Sequence, residues 1–295
     1  MHSVEVALPF TPPLDGEALW DYLAARTVTG VETLDGVRYR RTVHLTSGPG
    51  VLEIDRPDGG THLRGRVYLS RTTDQAEAES LLRRTADLDR DPAQVLDGLG
   101  GHPWLGPLVQ ARPGLRAPQH PGGFETALRA VLAQQVSLTA ARTHTARLVA
   151  AVGSPLTDPV GEVTHLFPTP AQVAGIGTGA GPEESVLRMP AGRRRAVHAL
   201  AGAVLDGLDL DNAAGADAAE AGLLAVPGIG PWTAQYVRMR ALGDPDAYCG
   251  TDLVLRRAAE TLSDGSVDTR GAEFSPWRTY AAHHLWRHAQ VEATR

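Results

Sequence analysis

Apolar positions along the chain fall into two regimes. Over residues 1–88, short runs alternate with turn signals. Leu19, Trp20, Leu23 and Ala24 recur at helical spacing within residues 14–25 and predict a helix with one buried face. Three strand-like runs follow, at 31–43, 50–55 and 62–70, punctuated by Asp35-Gly36 and Asp58-Gly59-Gly60 as in a β-meander. Residues 74–88 return to a helical pattern. From 89 to 295 the periodicity is helical throughout. It predicts one long Ala-rich helix over 124–152 and further helices at 191–205, 218–225, 232–242, 252–262 and 277–289. Pro and Gly mark the joints, among them Pro121-Gly122-Gly123, the stretch 175–182, and Ser275-Pro276, which predicts an N-cap and first-turn proline for the last helix. The expected fold is an α+β N-terminal domain (1–88, antiparallel sheet with helices) followed by an all-α region (89–295).

The most specific pattern lies at 223–235. A helix ends at Leu223-Leu224-Ala225-Val226. Pro227-Gly228-Ile229-Gly230 then forms a turn with two glycines free to take positive φ, and Pro231 stands where a first helical residue has no use for its N–H. Trp232 begins the next helix. This predicts a helix–hairpin–helix. Amides at the start of the second helix, at the positive end of its dipole, form a phosphate site, with Gly228, Gly230 and Thr233 as candidate contacts. Asp252, twenty residues past Trp232, precedes another helical run and fits an N-cap. The cap does not exclude chemistry, because a carboxylate at a helix start stays ionised and suits a developing cation. Trp232 and Tyr236 share a helix face, and Trp286 lies on the last helix. Each alone fits a core position, but together they could form a slot for a planar base.

Composition narrows the classes. The chain has 295 residues, a net charge of −6 and one cysteine, Cys249. A disulfide framework or a four-cysteine metal centre built by this chain alone is excluded. No apolar run approaches the ~20 residues of a membrane helix, and residues 1–13 show no secretory signal. A cytoplasmic, nucleoid-associated location is expected. The acidic balance argues against nucleic-acid binding through bulk charge, so any such binding must rest on backbone dipoles and local geometry. The 28 basic residues include no lysine. His284 and His288 share a helix face, but no third ligand accompanies them, and a surface or packing role is expected. Arg193-Arg194-Arg195 reads as a solvated face or a phosphate contact.

Residues 224–257 resemble the helix–hairpin–helix/Gly-Pro-Asp signature of the endonuclease III superfamily, and the whole chain resembles its DNA-3-methyladenine glycosylase II (AlkA) family. Supporting segments include Leu8-Pro9-Phe10, Ala24-Ala25-Arg26, Ala111-Arg112-Pro113-Gly114, Gln134-Gln135-Val136-Ser137, Phe167-Pro168-Thr169-Pro170 and His284-Leu285-Trp286. The resemblance implies that the helical region forms two lobes with the active site between them. It implies excision of alkylated bases (3-methyladenine, 7-methylguanine and related lesions) from double-stranded DNA, and a protein that must wrap one lesion is expected to be a monomer. Asp252 falls on the catalytic aspartate, Trp232 and Tyr236 on pocket positions, and Trp286 on the residue that stacks against the flipped base. Gln135 falls on the wedge position, where its amide departs from an apolar wedge. Thr251 replaces an acid that can precede the aspartate. No cofactor is implied for catalysis. The carbonyls of Leu224, Val226 and Ile229 are implied to hold a structural sodium or potassium ion. Glycosylases that also nick the strand use a lysine in the slot of Trp232, so a monofunctional enzyme is expected. Two readings remain beside this one: a glycosylase for oxidised or mismatched bases, and a non-catalytic hairpin module that binds DNA.

Overall fold

The computed structural model describes residues 1–177, 186–187, 189–263 and 271–293. Strands β1 (His2–Pro9), β2 (Glu32–Leu34), β3 (Arg38–Leu45), β4 (Gly48–Asp55) and β5 (His62–Leu69) form one antiparallel sheet in the order β1-β5-β4-β3-β2. The Asp35-Gly36 signal becomes the β2–β3 turn: Asp35 accepts the Val37 and Arg38 amides at 3.1 and 2.8 Å, and Gly36 has φ +91°. Helices α1 (Gly16–Ala24) and α2 (Gln75–Thr85) cover one face. Leu19, Trp20 and Leu23 of α1 and Leu82 of α2 share a core with Tyr39, Leu52, Ile54, Leu63 and Val67. The sequence pattern did not single out β1. It is an edge strand that buries only Val6 and Leu8, so its alternation is short.

The helical region comprises α3 (Pro92–Leu99), α4 (Gly106–Ala111), α5 (Gly123–Leu132), α6 (Leu138–Val152), α7 (Pro170–Ala174), α8 (Ala191–Leu205), α9 (Ala216–Ala225), α10 (Pro231–Arg240), α11 (Leu253–Ser263) and α12 (Arg278–Glu292). It has two cores. Leu128, Val131, Leu148, Val197, Leu200, Leu223 and Val237 join α5, α6, α8, α9 and α10. Leu99, Leu105, Val109, Leu255, Tyr280 and Leu285 join α3, α4, α11 and α12. Helix α10 is the seam: Ala234 and Val237 enter the first core, while Met239 enters the second and Trp232 and Tyr236 pack on it.

Three expectations are corrected. The helix predicted over 124–152 is two helices, because the chain breaks at 133–137, where Gln135 turns left-handed (φ +58°) and the Ser137 hydroxyl caps α6 through the Ala140 amide at 3.2 Å. The last helix starts at Arg278 with Trp277 in the cap position, and the Ser275 hydroxyl donates to Asp246 at 3.0 Å instead of capping. The region is also not wholly helical. A hairpin, β6 (Ser154–Val160) and β7 (Val163–Leu166), packs Leu156, Val163 and Leu166 against Val51 of the sheet, and the Thr42 hydroxyl donates to the His165 carbonyl at 2.8 Å. Most of the predicted joint at 175–182 lies outside the described residues.

Candidate active site

Asp252 caps α11 as its position predicts. Oδ1 accepts the Val254 and Leu255 amides at 2.9 and 3.0 Å. The same carboxylate also accepts two indole N–H groups, from Trp232 Nε1 to Oδ2 at 3.1 Å and from Trp286 Nε1 to Oδ1 at 3.4 Å. All four donors are neutral. They hold the anion in place without cancelling its charge, which leaves it free to face a cation from solvent or ligand.

A cleft of about 880 Å³ opens beside this group and is lined by Asp252, Trp232, Tyr236, Trp286 and Gln135. Trp232 and Tyr236 stack with ring centroids 5.1 Å apart and planes 11° apart, as their i, i+4 spacing on α10 allows. Burial raises the Tyr236 phenol pKa, but Arg240, Arg26 and Arg129 more than offset this and leave it below the ordinary value. Gln135 is exposed at the lip, in the break between α5 and α6.

The sequence analysis missed the opposite wall. Tyr22 of α1 and Arg26, just past the end of that helix, enter the same cleft, where they meet Arg240 of α10 and His283 of α12. The Arg26 guanidinium lies 3.7 Å from the Tyr22 ring centroid, Arg240 lies 4.8 Å from it, and the His283 ring lies 5.2 Å away. The i, i+4 pair Tyr22 and Arg26 carried a local signal, but only the fold reveals that α1 faces the helical lobes. His283 and His284 are both buried, and no cluster of three potential metal ligands occurs among the described residues.

The hairpin residues stand apart from the cleft lining. Gly228 takes φ +89°, and a Cβ there would lie 2.8 Å from Ala196 Cβ on α8, so both conformation and packing require glycine. Gly230, by contrast, is extended at φ −108° and occupies the cap position of α10, with Pro231 first in the helix. Thr233 is buried, so its side chain is withheld from solvent. The Gln134 side-chain amide donates to the Gly228 carbonyl at 3.0 Å and ties the turn to the segment that carries Gln135. The Val226 carbonyl accepts the Ile229 amide at 3.1 Å, while those of Leu224 and Ile229 accept no backbone amide among the described residues. Trp277 packs away from the cleft, against Tyr280 with Arg90 over its ring.

Comparison with known proteins agrees with this fold. Residues 5–121 match the family model described as the AlkA N-terminal domain. The chain is 41% identical over 290 residues to the probable bifunctional transcriptional activator/DNA repair enzyme AlkA of Mycobacterium tuberculosis, which covers 96% of this chain and 57% of that protein. It thus spans little more than half the length of that relative. It is 33% identical over 283 residues to DNA-3-methyladenine glycosylase 2 of Escherichia coli, covering 95% of each. Among solved structures, the 3-methyladenine DNA-glycosylase from Archaeoglobus fulgidus superposes with a TM-score of 0.81 over 98% of this chain and 99% of that one, at 18% identity, a likeness of fold alone. With a sheet domain, two helical lobes and a near end-to-end match to the Escherichia coli protein, the chain belongs to the DNA-3-methyladenine glycosylase 2 (AlkA) family.

Proposed function

We propose that this protein is a monofunctional DNA glycosylase that flips alkylated bases out of duplex DNA and hydrolyses their N-glycosidic bonds, leaving an abasic site. The observation that carries the reading is Asp252: an anion held only by neutral donors, between two indoles, at the edge of an aromatic cleft. Alkylation at N3 or N7 makes a purine cationic, so the C1′–N bond breaks with its electron pair going to the base, which leaves neutral without a general acid. The sugar left behind carries the positive charge. Asp252 stabilises that oxocarbenium ion, an interaction stronger in the transition state than in the ground state, and orients the water that adds at C1′ and loses its proton to solvent. The faces of Trp232, Tyr236 and Trp286 supply stacking for a flipped purine, and a cationic base gains roughly 0.5–2 kcal/mol from a good aromatic face. Flipping costs a few kcal/mol, less at damaged pairs. 3-Methyladenine is the first substrate of this reading, with 7-methylguanine behind it.

The remaining assignments follow from the same reading. Amides at the start of α10 receive a backbone phosphate, which explains how an acidic chain grips DNA. The Leu224, Val226 and Ile229 carbonyls suit sodium or potassium: they are hard oxygen donors, and two of the three have no competing amide. Gln135, at the lip, enters the space the base vacates. The absence of lysine from the whole sequence, with Trp232 in the slot a Schiff-base lysine would need, favours hydrolysis without strand cleavage. The test is release of free base from a duplex carrying one 3-methyladenine, with the strand examined before alkali. Release with intact strands supports the reading. Strand scission without alkali contradicts the monofunctional assignment, and DNA binding without release of any lesion base contradicts the enzyme.

A further inference from the structure

Six large apolar side chains are exposed among the described residues, and three of them, Leu138, Leu253 and Val254, line the cleft. A single exposed leucine is ordinary, but gathering half of such side chains at the edge of one site calls for a partner. Leu138 is 47% exposed and Leu253 64%. Each is the first residue of a helix and follows a capping residue. The Ser137 hydroxyl accepts the Ala140 amide at 3.2 Å ahead of Leu138, and Asp252 accepts the Val254 and Leu255 amides at 2.9 and 3.0 Å ahead of Leu253. The caps hold both backbones in place, so the leucines project from fixed helix ends. They come from opposite lobes, since α6 packs into the first helical core and α11 into the second.

Resting on the base-slot reading above, we infer that Leu138 and Leu253 are a pair of apolar wedges that enter the duplex beside the lesion and force the base out of the stack. The occupant is double-stranded DNA, because the leucines continue the lip of the cleft that receives the flipped base. Both are more exposed than Trp232, Tyr236 and Trp286, which are half-buried, so they stand outside the slot. Charge agrees with this partner. Arg256 pairs with Glu260 at 3.7 Å, whereas Arg257, one turn on from Leu253 on the same helix face, is exposed and pairs with no carboxylate among the described residues. A guanidinium there suits a neighbouring phosphate. Apolar side chains pushed between base pairs unstack them, and leucine loses its contact with water as it enters. Gln135 does different work. It ends in an amide, which gives up hydrogen bonds to water on entering a stack and regains them on the edge of an unpaired base. Flipping is thus divided between leucines that prise the step apart and an amide that fills the gap.

A lesion that is already unstacked tests the inference. Single-turnover release of 3-methyladenine at saturating enzyme is measured from a duplex with the lesion paired to thymine, and from the same duplex with the lesion in a single-base bulge. Wild type, Leu138→Ala, Leu253→Ala and the double variant are compared, with melting temperatures of the free proteins. The wedges predict that the ratio of paired to bulged release falls at least about threefold in each single variant and at least about tenfold in the double one, because only the paired base must be forced out. They also predict melting temperatures at the wild-type value, because both side chains project into solvent. An unchanged ratio in the double variant, whether both rates fall together or neither moves, overturns the wedges and leaves the glycosylase standing. A clear fall in melting temperature also overturns them, because the leucines would then serve packing. Release from neither substrate by wild type overturns the base-slot reading and the wedges with it.

Discussion

Two buried polar regions lie side by side in this molecule and are built on opposite principles. Where the sheet domain meets α5, Arg41 pairs with Glu32 at 3.2 Å and Glu125 at 2.9 Å, and Arg129 pairs with the same two carboxylates at 2.9 and 3.0 Å. The Tyr39 hydroxyl donates to Glu32 at 2.8 Å, and His120 Nε2 lies 3.1 Å from Glu125. Each buried charge faces an opposite one, and both carboxylates are held below their usual range by Arg41 and Arg129 despite burial. In the neighbouring cleft, Asp252 is bonded only by neutral donors, and the Tyr22 hydroxyl and His283 Nε2 make no well-formed hydrogen bond. Closed polar networks fix architecture, whereas open ones store interactions that only a ligand completes. The contrast locates the function better than burial or charge alone.

The joint gives the largest expected effect. Arg41→Ala leaves Glu32 and Glu125 sharing one cation in a dry site. Breaking a buried network in this way costs about 3–5 kcal/mol. Urea unfolding should show that loss as a lower midpoint, and a change under about 1 kcal/mol would mean the network is not closed as described. The cleft should respond in the opposite manner. Asp252→Asn keeps the helix cap, because asparagine caps as well as aspartate. It removes the charge that faces the sugar, and single-turnover base release should fall at least about a hundredfold with little change in melting temperature. Loss of fold and activity together would place Asp252 with the joint rather than the cleft.

Acid provides the next largest effect and acts through buried titratable groups. Burial pushes His120 and His284 down to about 4. Both are protonated near pH 6.5 in the unfolded chain but only near 4 in the folded one. The unfolded state therefore binds more protons between those values, and stability is lost as pH falls through that window. Each histidine removes up to about 1.4 kcal/mol per pH unit. Asp87 opposes them: burial raises it to about 6, so its contribution grows as pH falls from 6 toward 4. Burial raises Asp211 as well; with three buried histidines, His120, His284 and His283, against these two aspartates, the melting temperature should fall between pH 6.5 and 4.5. Asp87→Asn should make that fall steeper. A flat or rising melting temperature would contradict the neutral burial of these imidazoles.

How much of this was legible in the sequence depended on whether the signal was local. The hairpin turn, the Asp252 cap and the Trp232–Tyr236 face are set within a few residues, and their residue types announce them. Trp286 was placed by resemblance, and the structure brings it to the same carboxylate. The cleft wall was not legible, because Tyr22, Arg240 and His283 come from three helices whose approach depends on how the sheet domain docks. Sequence paired His284 with His288 as a surface or packing face and gave no reading of His283. Its burial beside Tyr22 is a tertiary fact that periodicity does not carry. The β6–β7 hairpin was hidden for a similar reason. Its short strands gain their stability from Val51 and the sheet, not from their own pattern. The break at 133–137 did have a local cue in Ser137, masked by alanines that favour helix on both sides.

The smallest predicted effect comes from two adjacent glutamines that repeat the contrast in miniature. Gln134 is closed, because its amide donates to the Gly228 carbonyl across to the hairpin. Gln135 is open, an exposed side chain on a backbone at φ +58° that a residue with a Cβ adopts at a cost. Gln134→Ala should cost no more than about 1 kcal/mol of stability, the net value of one hydrogen bond, and weaken DNA binding through a looser turn. Gln135→Gly should instead raise stability by up to about 1 kcal/mol, because glycine occupies the left-handed region without strain. It should also slow base release, because nothing then fills the gap in the duplex. Denaturant midpoints and single-turnover rates on the same preparations read both quantities. Stability rising while release falls would show that the strain at 135 is kept for the side chain it presents to DNA. Release unaffected by glycine would remove Gln135 from the wedge position and leave the base step to be held open by the exposed Leu138 and Leu253 at the same lip.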